Sequence, residues 1–288
     1  MNKILVPLDF SNASLPVIHQ AAFLAQHFHS EIILLHVVAP LSYPANILQG
    51  GNELAGLDLR AEIVTQAQKD LDQSLRPEPA GIVVKRLLLR GDPAREIAQT
   101  ARNEKVDLIV ISTHGHGLFY RFLMGSVAAK VLHDSVCHVW TVPDLEERAT
   151  REFAIRNVLC AVDLSQHSRN TVARAAEIAA EFGAQLTLVH VTAGVEIFGP
   201  GGSHVLPELK AELVSYAANE IAKLQRDVGT KAAVTIDSGD VHKLLGRASK
   251  ETKADLLVIG HLPSGGHLGA NGSGYAIIRE SHIPVLSV

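Results

Sequence analysis

Leu108 to Val127 reads LIVISTHGHGLFYRFLMGSV, and the fold turns on how this stretch is read. A short apolar run ends in the small residues Ser112 and Thr113. Gly115 follows, nine residues intervene, and Gly125-Ser126 then opens an alanine-rich run. This order predicts a strand, a loop and a helix start. Gly115 and Gly125 carry no Cβ, so the backbone there can approach a ligand closely. A helix opened by Gly125-Ser126 offers free N–H groups and a positive dipole end, which favour an exposed anion by about 0.3–1 kcal/mol. The residues alone leave two readings open: an anion cradle, or a turn in which Ser126 merely caps its own helix.

Working outward, the segments around this stretch alternate between two periodicities. Ile4 to Leu8 is a continuous apolar run, as expected of a strand covered on both faces. Ser14 to His29 shows helical spacing at Leu15, Ile18, Ala22 and Ala25, with Ser11 or Asn12 as candidate cap. Glu31 to Val38 reads as a strand, Pro40 to Gly56 as a long loop, and Leu57 to Leu75 as a helix stopped by Pro77 and Pro79. Ile82 to Leu89 is the next strand, and Pro93 opens a helix at its first turn, where proline is tolerated. After the strand Leu108 to Ile111 come a helix over Ser126 to Leu132 and a fifth strand over His138 to Val142. Such alternation implies an α/β fold with a parallel sheet, right-handed crossovers and helices on both faces. Ligands of such sheets sit beyond the carboxyl ends of the strands where strand order reverses. Asp9 ends the first strand there, as a ribose acceptor or as a cap for the next helix.

The pattern then repeats. Lys3 to Pro40 aligns with Asn157 to Gly194, placing Asp9 on Asp163, His36 on His190 and Val37 on Val191. Further along, Gly91-Asp92 falls on Gly239-Asp240 and Asp107-Leu108 on Asp255-Leu256, at an offset six residues shorter. Two units are expected, residues 1–143 and 155–288, joined by the charged linker 144–154.

Composition narrows the function classes. A length of 288 residues suits one large domain or two of about 140, and the net charge of −4 argues against a general nucleic-acid binder. Cys137 and Cys160 sit in apolar runs without a CxxC spacing, as buried free thiols of a reducing compartment do. The early Asp9 does not suit a signal peptide, and no apolar run is long enough for a membrane span, so the cytoplasm and no membrane partner are expected. The P-loop pattern is absent. Gly115-His116-Gly117 begins a dinucleotide fingerprint that fails at Tyr120. His114 and His116 lie where they can touch phosphate, but no metal-ligand spacing is present, and no metal site is assigned. A Ser126–His114–Asp9 triad lacks its nucleophile elbow, so no catalytic residue is assigned.

Five segments in order resemble the universal stress protein family: V-P-x-D at Val6, Pro7 and Asp9; LLHVV from Leu34; GDPAREIAQTA from Gly91; DLIVISTHG from Asp107; and MGSVAAKVL from Met124. The family's nucleotide motif, G-x2-G-x9-G-(S/T), stands here as Ser112, Gly115, Gly125 and Ser126. The resemblance implies two Rossmann-like units with five-stranded parallel sheets of order 3-2-1-4-5. It also implies ATP or AMP at the junction of strands 1 and 4, with magnesium as a possible companion. Carried over by position, Pro7, Leu8 and Asp9 border adenine and ribose, and Val37 offers its backbone to the adenine. Ile111 and Ser112 line the ribose and phosphate side, and Gly115, Gly125, Ser126 and Val127 hold the phosphates. Ser112 departs from the motif's first glycine.

In the second unit Ala161, Val162, Asp163, Val191 and Gly260 keep corresponding positions. Pro263 replaces the second glycine there, removing an N–H donor, and Gly272-Ser273 stands for the final pair one residue early. This weaker second site is expected to bind poorly or to serve structure. In the family the fifth strands pair across a two-fold axis. The resemblance therefore implies an internal pseudo-dimer of the two units, with a homodimer of chains and an unidentified protein partner as further options. The functional expectation is a nucleotide-gated stress-response regulator. A slow ATPase at the first unit and a non-binding scaffold are the alternatives.

Overall fold

The computed structural model describes residues 1–40, 53–114, 124–143, 153–192, 196–199, 202–205, 207–260 and 273–288; for 53–60, 196–199, 202–205 and 273 it describes the backbone alone. Two compact units result, Met1–Thr150 and Arg151–Val288. The expected linker falls largely outside the described residues.

The first unit contains β1 (Lys3–Pro7), α1 (Ser14–Phe28), β2 (Glu31–Val38), α2 (Glu53–Gln73), β3 (Val84–Arg90), α3 (Pro93–Glu104), β4 (Leu108–Ser112), α4 (Ser126–Asp134) and β5 (His138–Val142). Its strands neighbour one another in the order β3-β2-β1-β4-β5, all parallel, with Leu5 opposite both Ile33 and Ile109. Ile4, Leu5, Val6, Leu108, Ile109 and Val110 are fully buried, as a sheet covered on both faces requires. Trp140 on β5 is 2% exposed, and its indole N–H donates to Gln20 on α1 at 2.7 Å.

The second unit repeats the plan with β6 (Asn157–Ala161), α5 (Ser168–Phe182), β7 (Gln185–Thr192), β8 (Glu196–Gly199), β9 (Gly202–Val205), α6 (Pro207–Val228), β10 (Ala233–Ser238), α7 (Val241–Glu251), β11 (Leu256–Ile259), α8 (Ser273–Glu280) and β12 (Val285–Ser287). The parallel order is β10-β7-β6-β11-β12. The antiparallel hairpin β8–β9 is an addition that the helix-and-strand alternation did not anticipate. Its signal was Gly199-Pro200-Gly201-Gly202, a turn-forming run between two short segments.

Several local expectations need correction. Helix α2 starts at Glu53, inside the predicted loop. Leu15 is 58% exposed, and the buried stripe of α1 is instead Val17, Ile18, Ala21, Leu24 and Ala25. Neither Ser11 nor Asn12 is the N-cap: Ala13 is, without a side-chain bond. The Asp9 carboxylate holds this turn, accepting from the Ser11 N–H at 3.0 Å, the Ser11 hydroxyl at 2.7 Å and the Ser14 hydroxyl at 2.9 Å.

The repeated Gly-Asp pairs have a shared physical cause. Gly91 and Gly239 adopt φ of +153° and +143°, where side chains are strained. The next residue caps the following helix: Asp92 accepts from Arg95 N–H at 3.0 Å and Asp240 from Lys243 N–H at 2.9 Å. Pro93 occupies the first turn as expected.

Candidate functional site

The carboxyl ends of β1, β2 and β4 meet the starts of α3 and α4 around a cavity of about 290 Å³. Nine of the ten first-unit residues expected from sequence line it: Pro7, Leu8, Asp9, Val37, Ile111, Ser112, Gly125, Ser126 and Val127. Gly115 lies outside the described residues. The cavity thus sits where β1 and β4 adjoin and their flanking strands lead in opposite directions, the switch point of an open α/β sheet.

Each wall has a local cause. Asp9 follows β1 and is fixed by the Ser11 and Ser14 hydroxyls. The next residue, Phe10, takes a positive φ of 60°, and its ring stacks on His36 with centroids 4.4 Å apart. On the opposite side, Gly125 N–H donates to the Thr113 carbonyl at 2.9 Å, which folds the returning chain against the end of β4. Gly125 therefore contributes no free amide. The amides of Ser126, Val127 and Ala128 have no intrahelical acceptor, because the first closed turn runs from Ala129 N–H to Gly125 O at 3.0 Å.

The Ser112 departure is accommodated. Its backbone is outside the positive-φ region. Its hydroxyl donates to the His114 carbonyl at 2.6 Å and accepts from the His114 N–H at 3.1 Å. A glycine could make neither bond.

Sequence reading missed part of the lining: Ser14 and Val17 of α1, Leu35 and His36 of β2, Pro93 and Ile97 of α3, and Ala128. His114 was noted as able to touch phosphate but was not assigned to the site; it also lines the cavity. Ile97 and Pro93 belong to the GDPAREIAQTA segment, whose wall-forming role depends on the α3 axis pointing at the strand ends and is not visible in spacing.

In the second unit Ala161 ends β6, Val162 is buried and Asp163 accepts from Ser165 N–H at 3.0 Å and the Ser168 hydroxyl at 2.7 Å, as Asp9 does. Burial pushes the Asp163 pKa upward, but the hydrogen bonds from Ser168 and Ser165 outweigh it and leave it below the usual value. Val191 lies on β7 opposite Asp237. Gly260 follows β11, and a Cβ there would stand 3.2 Å from Thr171 Oγ1. Packing against Thr171 thus accounts for this glycine without a ligand. Pro263 and Gly272 lie outside the described residues, while α8 opens at Ser273 as α4 opens at Ser126.

Comparison with known proteins fits this doubled architecture. The universal stress protein family model matches twice, over residues 1–143 and 154–288. The chain belongs to the universal stress protein family. Universal stress protein MJ0531 of Methanocaldococcus jannaschii is 33% identical over 140 residues, covering 49% of this chain and 81% of that protein. A universal stress protein of Mycolicibacterium smegmatis is 27% identical over 206 residues, covering 69% and 67%. Among solved structures, a universal stress protein from Archaeoglobus fulgidus superposes with a TM-score of 0.64 at 23% identity, covering 99% of this chain and 97% of that one, which speaks to fold alone. This member of the family is a tandem pair, and no described helix is long and apolar enough to cross a membrane.

Proposed function

We propose that this universal stress protein binds an adenine nucleotide, ATP or AMP, in the first-unit cavity and acts as a nucleotide-gated regulator in the cytoplasm. The observation that carries the reading is the convergence of nine motif-derived residues on one cavity beneath the α4 N-terminus. Adenine and ribose would lie against Pro7, Leu8, Asp9 and Val37. Phosphates would lie against Gly115 and the amides of Ser126 and Val127, with Ile111 and Ser112 between. Magnesium would accompany ATP through the phosphates. The second unit binds weakly at Ala161, Val162, Asp163, Val191 and Gly260, or serves as structural partner. The short apolar fifth strands, β5 and β12, would pair the two units as an internal pseudo-dimer, leaving a homodimer of chains and a protein partner as further levels of assembly. Slow hydrolysis is disfavoured: among the described lining residues no lysine stands near the phosphate end, and Asp9 Oδ1 already accepts from the hydroxyls of its own turn.

Isothermal titration with ATP and AMP, with phosphate release followed on the same sample, tests the reading. Saturable binding without release is expected. Sustained release would replace the regulator by an ATPase, and no heat with either ligand would leave only a scaffold.

A further inference from the structure

The described lining of the first-unit cavity contains three titratable side chains, Asp9, His36 and His114, and no lysine or arginine. A nucleotide brings one or more full negative charges into this space. His36 sits on β2 with Nδ1 committed to the Leu8 carbonyl at 2.7 Å, on the strand-1 side. Lys130, on the second turn of α4, lies 3.8 Å from Asp92 and is drawn toward that helix cap. Of these three side chains, His114 is the one built into the α4 end. Its backbone is held twice by the Ser112 hydroxyl, and its Nδ1 lies 2.8 Å from Thr113 Oγ1. Thr113 is 2% exposed, its N–H donates to Val142 O at 3.0 Å and its carbonyl accepts from Gly125 N–H at 2.9 Å. The imidazole is thus positioned from a rigid residue that also places the first turn of α4.

Resting on the proposed nucleotide reading, we propose that His114 is a cationic phosphate-contacting residue of this site, meeting a phosphoryl oxygen through Nε2 beside the amides of Ser126 and Val127. The arrangement has a chemical consequence. An imidazolium donates to an anion with charge assistance, whereas the neutral ring does not, so phosphate affinity follows the ring's protonation. By linkage, a ligand that prefers the charged ring binds more tightly as pH falls through its titration. Among the described lining residues, the other titratable side chains are Asp9 from the β1–α1 turn and His36 from β2, and those of α3 and of the first turn of α4 are uncharged.

The test is AMP titration of the full chain from pH 5.5 to 8.5 for wild type, His114→Gln and His114→Ala. Comparison of wild type and variants at each pH cancels every pH effect that they share, that of AMP itself included. The expected result is a roughly 10-fold deficit for both variants at the acid end, closing toward pH 8.5, in keeping with one unit of linkage. A deficit that is constant with pH would make His114 a structural residue of the loop, and no deficit would remove it from the site; either overturns the inference while leaving the nucleotide reading intact. Wild type that binds no AMP at any pH overturns both. Unchanged ellipticity and unfolding midpoints in the variants exclude misfolding as the cause.

Discussion

His36 on β2 donates its Nδ1 proton to the carbonyl of Leu8 at 2.7 Å, and His190 repeats the bond to the Val162 carbonyl at the same distance in the second unit. Both bonds hold the turn that follows the first strand of each unit, where Phe10 and Leu164 take positive φ of 60° and 59°. In the first unit that turn carries Leu8 and Asp9 into the cavity. His36→Leu keeps the bulk but leaves the Leu8 carbonyl without this donor and Phe10 without its stacking partner. The expected cost is about 1–3 kcal/mol, with weakened AMP binding. His190→Leu should cost similar stability and leave AMP affinity unchanged. Thermal unfolding and titration of the two variants check this; equal losses of affinity would mean that the turns do not act unit by unit.

Gly125 has φ −57° and ψ 138°, open to any residue, and an added Cβ would meet only the Thr113 carbonyl, at 3.6 Å. Nothing in the fold therefore demands glycine at this position. Gly125→Ala should change stability by no more than about 1 kcal/mol, because the gain through the unfolded chain opposes alanine's poorer fit to the N-cap position that Gly125 holds. If the glycine serves ligand approach, the same variant should bind AMP at least ~10-fold more weakly, and Gly125→Asp should abolish binding by setting a carboxylate against the phosphates. Wild-type affinity in Gly125→Ala would show that the ligand does not press on this face.

Much of this architecture is legible in the sequence because the repeat states it twice. Gly91-Asp92 and Gly239-Asp240 encode a backbone conformation and a cap, both local properties, so their meaning survives without a structure. Asp107 and Asp255 were visible as a repeated position but not as a function: each carboxylate accepts two N–H groups from the start of its unit's first strand, a contact about a hundred residues apart in the chain. The Asp9 alternatives could not be separated by spacing, because its partners Ser11 and Ser14 serve a turn that also faces the cavity. Leu15 misled because a helix of fifteen residues with abundant alanine leaves the direction of its apolar stripe weakly specified.

Asp163 offers an acid-side prediction. Its pKa in the folded chain lies below the ordinary value because hydrogen bonds from the Ser168 hydroxyl and from Ser165 outweigh the opposing effect of burial. A depressed folded value means stability that is present above the unfolded pKa, about 3.9, and lost as pH falls through the folded one. Asp163→Asn removes this titration. Urea midpoints measured from pH 6 to pH 3 should therefore fall more steeply below pH 4 in the wild type than in the variant. Parallel curves would mean that the carboxylate is not held more tightly in the folded state.

The two thiols can report on the units separately. Burial pushes the pKa of Cys160, near the end of β6, up to about 12, with the Asp163 charge adding to it. Burial likewise raises the pKa of Cys137, just before β5, to about 11. Both cysteines are free. At pH 8 neither carries an appreciable thiolate fraction in the folded state, so reaction with a thiol-specific reagent requires local opening, and slowly reacting thiols that become fast in urea are expected. Half-buried Cys137 should react before fully buried Cys160. A ligand that binds only the folded first unit lowers the population of its open form in proportion to saturation. AMP at ~100 times its Kd should therefore slow Cys137 modification and leave Cys160 unchanged, read by mass spectrometry of the two cysteine peptides. Protection of Cys160 alone would transfer the nucleotide to the second unit, whatever the cavity beneath α4 suggests.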